Sequence, residues 1–331
     1  MGKTSEDKLI ERRAGRDLSF FDLHSVSQIS DNDLDLILDL ARAFRDTKTE
    51  KLDLCRGSSI IHAFFEPSTR TLASFDLAAK NLSMDTNNVG GASSSVKKGE
   101  SFLDTAETLD AYNLDVITIR CAQAGVPEML SRHVGAAIIN AGDGWHEHPT
   151  QGLMDVLTML DHHKSGDLQG KIVTIVGDVL HSRVFGSLVR LLSKLGATIR
   201  VAAPQTLIPA ECEKFGVSIH YDVEEALEGA HVVYALRVQE ERGASGYIPT
   251  LREYSKMFGI SRQRLDLADK NAILMHPGPV RRDIDIHSAL VSIDTRSRIL
   301  QQVENGMAVR KTLLWLLSRR EDDKDKEYAR L

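Results

Sequence analysis

Ser68-Thr69-Arg70-Thr71 follows directly on an apolar run that ends Phe64-Phe65-Glu66-Pro67. Three hydroxyls and a guanidinium where a strand gives way to a helix are the makings of an anion site. The first N–H groups of a helix lack internal acceptors and face outward with the positive end of the dipole. Ser68, Thr69 and Thr71 add donors, and the Arg70 fork matches phosphate oxygens. The same hydroxyls also serve as ordinary helix caps. Two readings therefore stand: a phosphate cradle, or a capped start to a helix over Leu72–Leu82.

Other segments could share in such chemistry. Ala141–Gln151, which includes Asp143-Gly144-Trp145-His146-Glu147-His148-Pro149-Thr150, follows a strand and precedes a helix expected over Gly152–Leu160. Strand ends that lead into helices are where α/β sheets bind ligands. His146, Glu147 and His148 raise the question of a metal, but the spacing is loose and no H-E-x-x-H pattern exists. A capped turn with a surface histidine is the plainer alternative. Ser93–Glu100, after Gly90-Gly91, carries Ser94, Lys97 and Lys98 and reads as a solvated loop. Arg120, Arg183 and Arg237 each follow an apolar run, where a side chain points into the crevice at the sheet edge. Together with Arg70 they predict a ligand with several negative charges. His276-Pro277-Gly278-Pro279 is a rigid turn able to present carbonyls.

The elements that must position these residues are legible as periodicities. Continuous apolar runs lie at Ser59–Phe65, Val116–Ile119, Ala136–Ile139, Ile172–Val176, Ile199–Ala203, Val232–Leu236 and Ala272–Met275. Such runs fit parallel strands buried on both faces. Amphipathic segments alternate with them: Leu34, Ile37, Leu38, Ala41 and Phe44 behind Ser30 as cap, and Val184, Leu188, Leu191, Leu192 and Leu195 ended by Gly196. The alternation predicts an α/β fold with parallel sheets. The polar stretch His162–Asp167 divides two such units, and a last helix spans Ile299–Leu317.

Composition narrows the classes. The chain has 331 residues, 42% hydrophobic and 27% charged, enough for two soluble domains. A net charge of −6 gives no reason to expect nucleic acid or an anionic membrane as partner. Cys55, Cys121 and Cys212 are odd in number, far apart and form no C-x-x-C pair, which predicts a reducing, cytoplasmic setting. Met1–Arg16 lacks the apolar core of a signal peptide. No G-x-G-x-x-G follows Ile172–Val176, so a nicotinamide-dependent dehydrogenase is disfavoured, and there is no Walker-A lysine motif or G-x-S-x-G elbow.

Taken together, the segments resemble the aspartate/ornithine carbamoyltransferase family, and within it the aspartate branch, from about Phe20 to Leu317. The motifs are Phe65-Glu66-Pro67-Ser68-Thr69-Arg70-Thr71, Lys97-Lys98-Gly99-Glu100, His148-Pro149-Thr150-Gln151, Arg237-Val238-Gln239 and His276-Pro277-Gly278-Pro279, in the family's order. The resemblance implies two domains, each a parallel β-sheet flanked by helices, with the active site in the interdomain cleft. Residues 1–163, completed by 296–331, would bind carbamoyl phosphate, and 164–295 would bind aspartate. Ser68, Thr69, Arg70, Thr71 and Arg120 would hold the phosphate. His148 would sit by the carbamoyl oxygen and Gln151 by its nitrogen. Arg183, Arg237, Gln239 and the carbonyls of Pro277 and Gly278 would bind aspartate. Ser94 and Lys98 would come from a neighbouring subunit, making a homotrimer with shared sites. A regulatory chain or a dihydroorotase-type partner is compatible with that assembly. The reaction implied is carbamoyl transfer to L-aspartate, an early step of pyrimidine synthesis, with no cofactor and no metal.

The chemistry suits these residues. Aspartate brings two carboxylates, which Arg183, Arg237 and Lys98 would neutralise. Two anions about 4 Å apart in a partly buried site repel by on the order of 4 kcal/mol, so a ring of cations is required to hold both substrates. Thr71, Arg120 and His148 would stabilise the developing oxyanion, each donor worth roughly 3–4 kcal/mol. No side chain stands out as base, and the leaving phosphate would take the amine proton. Leu72 and Asp76 depart from the usual arginine and glutamate. Val280-Arg281-Arg282-Asp283 replaces the common Met-Asn-Arg-Gly, which puts the geometry of that loop in question. The ornithine branch is the nearest rival, but it carries a His-Cys-Leu-Pro segment where Pro277-Gly278 stand here. A catalytically dead relative is the other alternative.

Overall fold

The computed structural model describes residues 3–48, 50–90, 100–239 and 246–318. Ser94, Lys97 and Lys98 lie outside these residues, as does the charged tail after Ser318. The chain divides into two compact units, 1–153 with 304–331, and 154–303. The divisions fall inside two helices, one spanning Pro149–His163 and one spanning Ile299–Leu317.

The first unit opens with α1 (Ser5–Arg13) and α2 (Asp31–Asp46). Ser30 caps α2 by accepting from Asp33 N–H, while the Asp33 carboxylate accepts from Ser30 N–H, a reciprocal capping box. β1 (Ser59–Phe64), α3 (Thr69–Asn81), β2 (Asp85–Gly90), α4 (Phe102–Asp110), β3 (Val116–Cys121), α5 (Val126–Ser131) and β4 (Ala137–Asp143) follow, then α6 (Pro149–His163). All strands are parallel, in the order β2-β1-β3-β4. β1, β3 and β4 are the predicted apolar runs. Their side chains Ile61, Ala63, Ile117, Ile119 and Ile138 form a core with Leu109 and Leu130.

The second unit has β5 (Ile172–Val176), α7 (Arg183–Lys194), β6 (Thr198–Ala202), β7 (Val217–His220), α8 (Val223–Leu227), β8 (Val232–Ala235), α9 (Leu251–Phe258), α10 (Arg262–Leu265), β9 (Ile273–Met275) and α11 (Ser288–Ser292). Its parallel sheet runs β7-β6-β5-β8-β9. α12 (Ile299–Leu317) closes the described chain. Among the described residues, no helix is long and apolar enough to cross a membrane.

Two strands escaped the apolar pattern, β2 and β7. Both are edges of their sheets. β2 reads Asp-Thr-Asn-Asn-Val-Gly, with Asp85, Asn87 and Asn88 exposed. An edge strand pairs on one side only and needs no continuous apolar surface. Its last residue, Gly90, has φ 141°, and a Cβ there would lie 2.0 Å from the Phe64 carbonyl oxygen.

Candidate active site

In a parallel sheet every strand ends at the same edge, and ligands bind where strand order reverses direction. In the first unit the chain goes from β1 to β2 on one side and to β3 on the other. The reversal point is flanked by the exits of β1 and β3. The β1 exit leads to Ser68–Thr71, and Arg120 lies in register with Phe64 on β3. The neighbouring exit, of β4, leads to His148 and Gln151. Topology thus gathers Ser68, Thr69, Arg70, Thr71, Arg120, His148 and Gln151 at one edge.

The helix beyond β1 begins earlier than predicted, at Thr69. Ser68 occupies the cap position, yet its hydroxyl makes no capping hydrogen bond. The hydroxyls of Thr4, Ser30, Ser101, Ser182, Thr250 and Ser261 all cap their helices. The capping alternative therefore does not describe Ser68. Arg70 is exposed and Ser68 and Thr71 are half-buried, so this turn is accessible to a ligand.

Arg120 donates from Nη1 to the Ala141 carbonyl at 3.2 Å, and its Nε lies 3.9 Å from Glu66 Oε2. His148 and Gln151 are buried at the start of α6, where Pro149 fixes φ at a position that needs no N–H donor. His146 and Glu147 are turned elsewhere. His146 Nδ1 lies 3.0 Å from Asp143 Oδ2, and the Glu147 carboxylate accepts from Ser25 Oγ (2.6 Å) and Val26 N–H (3.0 Å). Burial raises the Asp143 pKa, but hydrogen bonds from His146, Asn140 and Gly125 outweigh it and hold the carboxyl below its ordinary value.

The second unit repeats the logic. From β5 the chain goes to β6 on one side and to β8 on the other. The β5 exit carries Arg183, the β8 exit Arg237 and Gln239, and the adjacent β9 exit Pro277 and Gly278. Arg183 is the first residue of α7 and only 2% exposed. Gly177, at φ 127°, lets the β5 exit pass the β8 exit. A Cβ there would lie 2.7 Å from Leu236 O and 2.9 Å from Tyr254 Oη.

Sequence reading missed the buried polar groups that hold these exits. Asp178 joins the β5 exit to Gln239 through the Gln239 N–H at 2.9 Å. Asp285 Oδ2 accepts from Arg281 N–H (2.8 Å) and lies 3.1 Å from His276 Nε2. His276 Nδ1 accepts from Gly278 N–H at 2.8 Å, so the ring proton sits on Nε2 and is given to Asp285. His276 N–H in turn donates to Gln302, whose amide donates to Asp155, which also accepts from Tyr234 Oη. Single-letter patterns carry no signal for such partners. A charged residue inside an apolar stretch, such as Asp155 in α6, is the one hint.

The departures in the loop after Pro279 also resolve. Asp283 has φ 64°, a left-handed conformation that suits the family's glycine and that aspartate tolerates. Its carboxylate accepts from Ser288 N–H (2.9 Å) and Ser288 Oγ (2.7 Å). Arg281 contributes its main-chain N–H, independent of side-chain identity. Arg282 donates to Ser288 O and Ser292 Oγ on α11. Asp76 accepts from Lys80 Nζ and Thr86 Oγ1, tying α3 to β2.

Residues 22–161 match the family model for the aspartate/ornithine carbamoyltransferase carbamoyl-P binding domain, and residues 169–317 match that for the Asp/Orn binding domain. The chain belongs to the aspartate/ornithine carbamoyltransferase family. Curated relatives agree with the aspartate branch. The aspartate carbamoyltransferase catalytic subunit of Acetivibrio thermocellus is 46% identical over 303 residues, 91% of this chain and 96% of that one. That of Desulforamulus reducens is 47% identical over 300 residues, 90% and 95% of the two chains. Among solved structures, Trypanosoma cruzi aspartate transcarbamoylase in complex with N-(phosphonacetyl)-L-aspartic acid superposes with a TM-score of 0.80 at 30% identity, covering 90% of this chain and 96% of that one. Thermus thermophilus ornithine carbamoyltransferase gives the same TM-score at 25% identity, covering 91% and 99%. The carbamoyltransferase fold is thus common to both branches.

Proposed function

We propose that this chain transfers the carbamoyl group of carbamoyl phosphate to the amine of L-aspartate, giving N-carbamoyl-L-aspartate and phosphate. The observation that carries the reading is the pair of arginine-bearing reversal points: Arg70 and Arg120 in one unit, Arg183 and Arg237 in the other. Each suits an anionic group. An ornithine side chain is cationic and would want a carboxylate where Arg237 stands.

In this reading Ser68, Thr69, Arg70, Thr71 and Arg120 hold the phosphate, and His148 and Gln151 hold the carbamoyl oxygen and nitrogen. Arg183, Arg237, Gln239 and the Pro277 and Gly278 carbonyls hold aspartate. The amine attacks the carbamoyl carbon, the C–O bond to phosphate breaks, and the departing phosphate takes the amine proton. Thr71, Arg120 and His148 stabilise the oxyanion between, and most of the remaining acceleration comes from holding two anions in reach. We assign residues 1–163 with 296–331 to carbamoyl phosphate and 164–295 to aspartate. We further propose a cytoplasmic homotrimer in which Ser94 and Lys98 complete a neighbour's site, acting in pyrimidine synthesis. The buried, widely spaced cysteines support a reducing compartment.

The direct test is carbamoylation of aspartate against ornithine. Turnover of ornithine alone sinks the assignment. Arg70→Ala should abolish transfer, and a scaffold without catalysis would be indifferent to it. Mixing inactive Arg70→Ala and Lys98→Ala proteins should restore part of the activity if subunits share sites.

A further inference from the structure

The β4–α6 turn contains two buried carboxylates that the reaction above does not use. Asp143 is 1% exposed and Glu147 not at all. Asp143 Oδ1 accepts from Asn140 Nδ2 (2.8 Å) and Glu147 N–H (3.1 Å). Its Oδ2 accepts from Gly125 N–H (2.8 Å) and faces His146 Nδ1 (3.0 Å). Gly125 follows β3, so one carboxylate ties the β3 exit, which carries Arg120, to the turn before His148. Main-chain bonds run beside it: Gly144 N–H to Cys121 O at 3.0 Å, and Asp143 N–H to Glu147 O at 3.2 Å. Glu147, the residue before His148, holds the other side of the turn to Ser25 and Val26.

We propose that Asp143, assisted by Glu147, is a positioning residue that sets the spacing of Arg120 and His148 for carbamoyl transfer. A buried carboxylate is costly unless its lone pairs are filled, and here both oxygens of each acid meet donors. Charge is essential to this role. Asn140 Nδ2 and Glu147 N–H on one side and Gly125 N–H on the other are all donors, so an asparagine NH2 turned to either side meets at least one of them and forces that pair apart. The pair that opens is either the Gly125 side or the Glu147 side. Either displaces Arg120 relative to His148, and a shift of about 1 Å costs on the order of 100-fold in rate. The substrate groups held by the second unit are untouched.

The inference rests on the carbamoyl-transfer reading, and the test separates the two. Steady-state kinetics of full-length Asp143→Asn and Glu147→Gln are compared with the parent. The expected result for Asp143→Asn is a kcat lower by about 10- to 100-fold, with the aspartate KM within about threefold of the parent. Glu147→Gln, which keeps an acceptor oxygen, should show the same split with a smaller loss. A kcat within twofold of the parent overturns the proposal. So does a loss of kcat matched by the loss of folded protein, because a merely structural role lowers active fraction and nothing else. If Asp143→Asn does not fold, Glu147→Gln decides by the same split. Should the parent show no carbamoyl transfer, the functional reading fails by itself. The clamp is then read from the His148 ring resonances, which must shift in Asp143→Asn; unchanged resonances overturn it.

Discussion

The Asp178 carboxylate accepts the main-chain N–H of Gln239 at 2.9 Å while its other oxygen lies 2.8 Å from His181 Nδ1 and 3.1 Å from His181 N. One buried acid thereby joins the β5 exit, which leads to Arg183, to the β8 exit, which carries Arg237 and Gln239. Hydrogen bonds to a charged group contribute about 1.5–3 kcal/mol each. Asp178→Ala should raise the aspartate KM by about 10- to 100-fold. Inhibition by inorganic phosphate, which the proposed function assigns to the other unit, should stay within twofold. An unchanged aspartate KM would show that Gln239 does not depend on this bond.

Tyr234 donates to Asp155 at 2.6 Å, and Asp155 takes the Gln302 amide at 2.7 Å. Gln302 Oε1 accepts His276 N–H at 3.0 Å, at the base of the Pro277-Gly278 turn. Tyr234→Phe removes one donor from a buried acid and should cost about 1.5–3 kcal/mol in chemical denaturation. It should also raise the aspartate KM several-fold. Loss of less than about 0.5 kcal/mol would mean that Asp155 finds another donor.

Asp283 holds a left-handed conformation, and its carboxylate accepts from Ser288 N–H and Ser288 Oγ. Asp283→Gly keeps the backbone at ease and loses those bonds, whereas Asp283→Ala loses both. Thermal unfolding should therefore rank the parent first, glycine second and alanine last, with alanine lower by about 2–4 °C. Alanine at or above the parent would contradict the backbone argument.

His62 lies buried in β1, with Nδ1 2.8 Å from Thr118 Oγ1 and its ring beside Phe64 and Phe75. Burial lowers its pKa from 6.5 to about 4. The unfolded chain takes the proton first as pH falls. Stability is therefore whole above about 6.5, drains as pH falls towards about 4, and is level below that, for a total of about 3 kcal/mol at most. Subtracting the denaturation profile of His62→Gln from that of the parent isolates this slope. A difference curve flat from pH 6.5 to 4.5 would show that His62 is not the group concerned.

The residues themselves spoke most clearly where burial or local chemistry is repeated along the chain. Ile172–Val176 reads as a buried strand because both faces are apolar, and Ser30 reads as a cap because the apolar stripe Leu34, Ile37, Leu38, Ala41 and Phe44 begins just behind it. Ser68–Thr71, Arg120, Arg183 and Arg237 were all legible as polar groups at the ends of such runs. Asp85–Gly90 was not, because an edge strand is half solvated and keeps no apolar stripe. Asp143, Asp178 and Asp285 were not, because a satisfied buried acid is defined by donors far away in the chain.

The sequence by itself therefore determined most element types, the α/β class and which hydroxyl and cationic side chains stand at the ends of apolar runs, all of which follow from local periodicity and side-chain chemistry. Tertiary structure decided the strand orders β2-β1-β3-β4 and β7-β6-β5-β8-β9. Those orders place the Arg70 and Arg120 exits together and the Arg183 and Arg237 exits together. It also decided that Ser68 leaves its helix uncapped and that buried carboxylates lock neighbouring exits. Pairing between distant segments is settled by packing and hydrogen bonding across the whole unit, and no stretch of a few residues contains it.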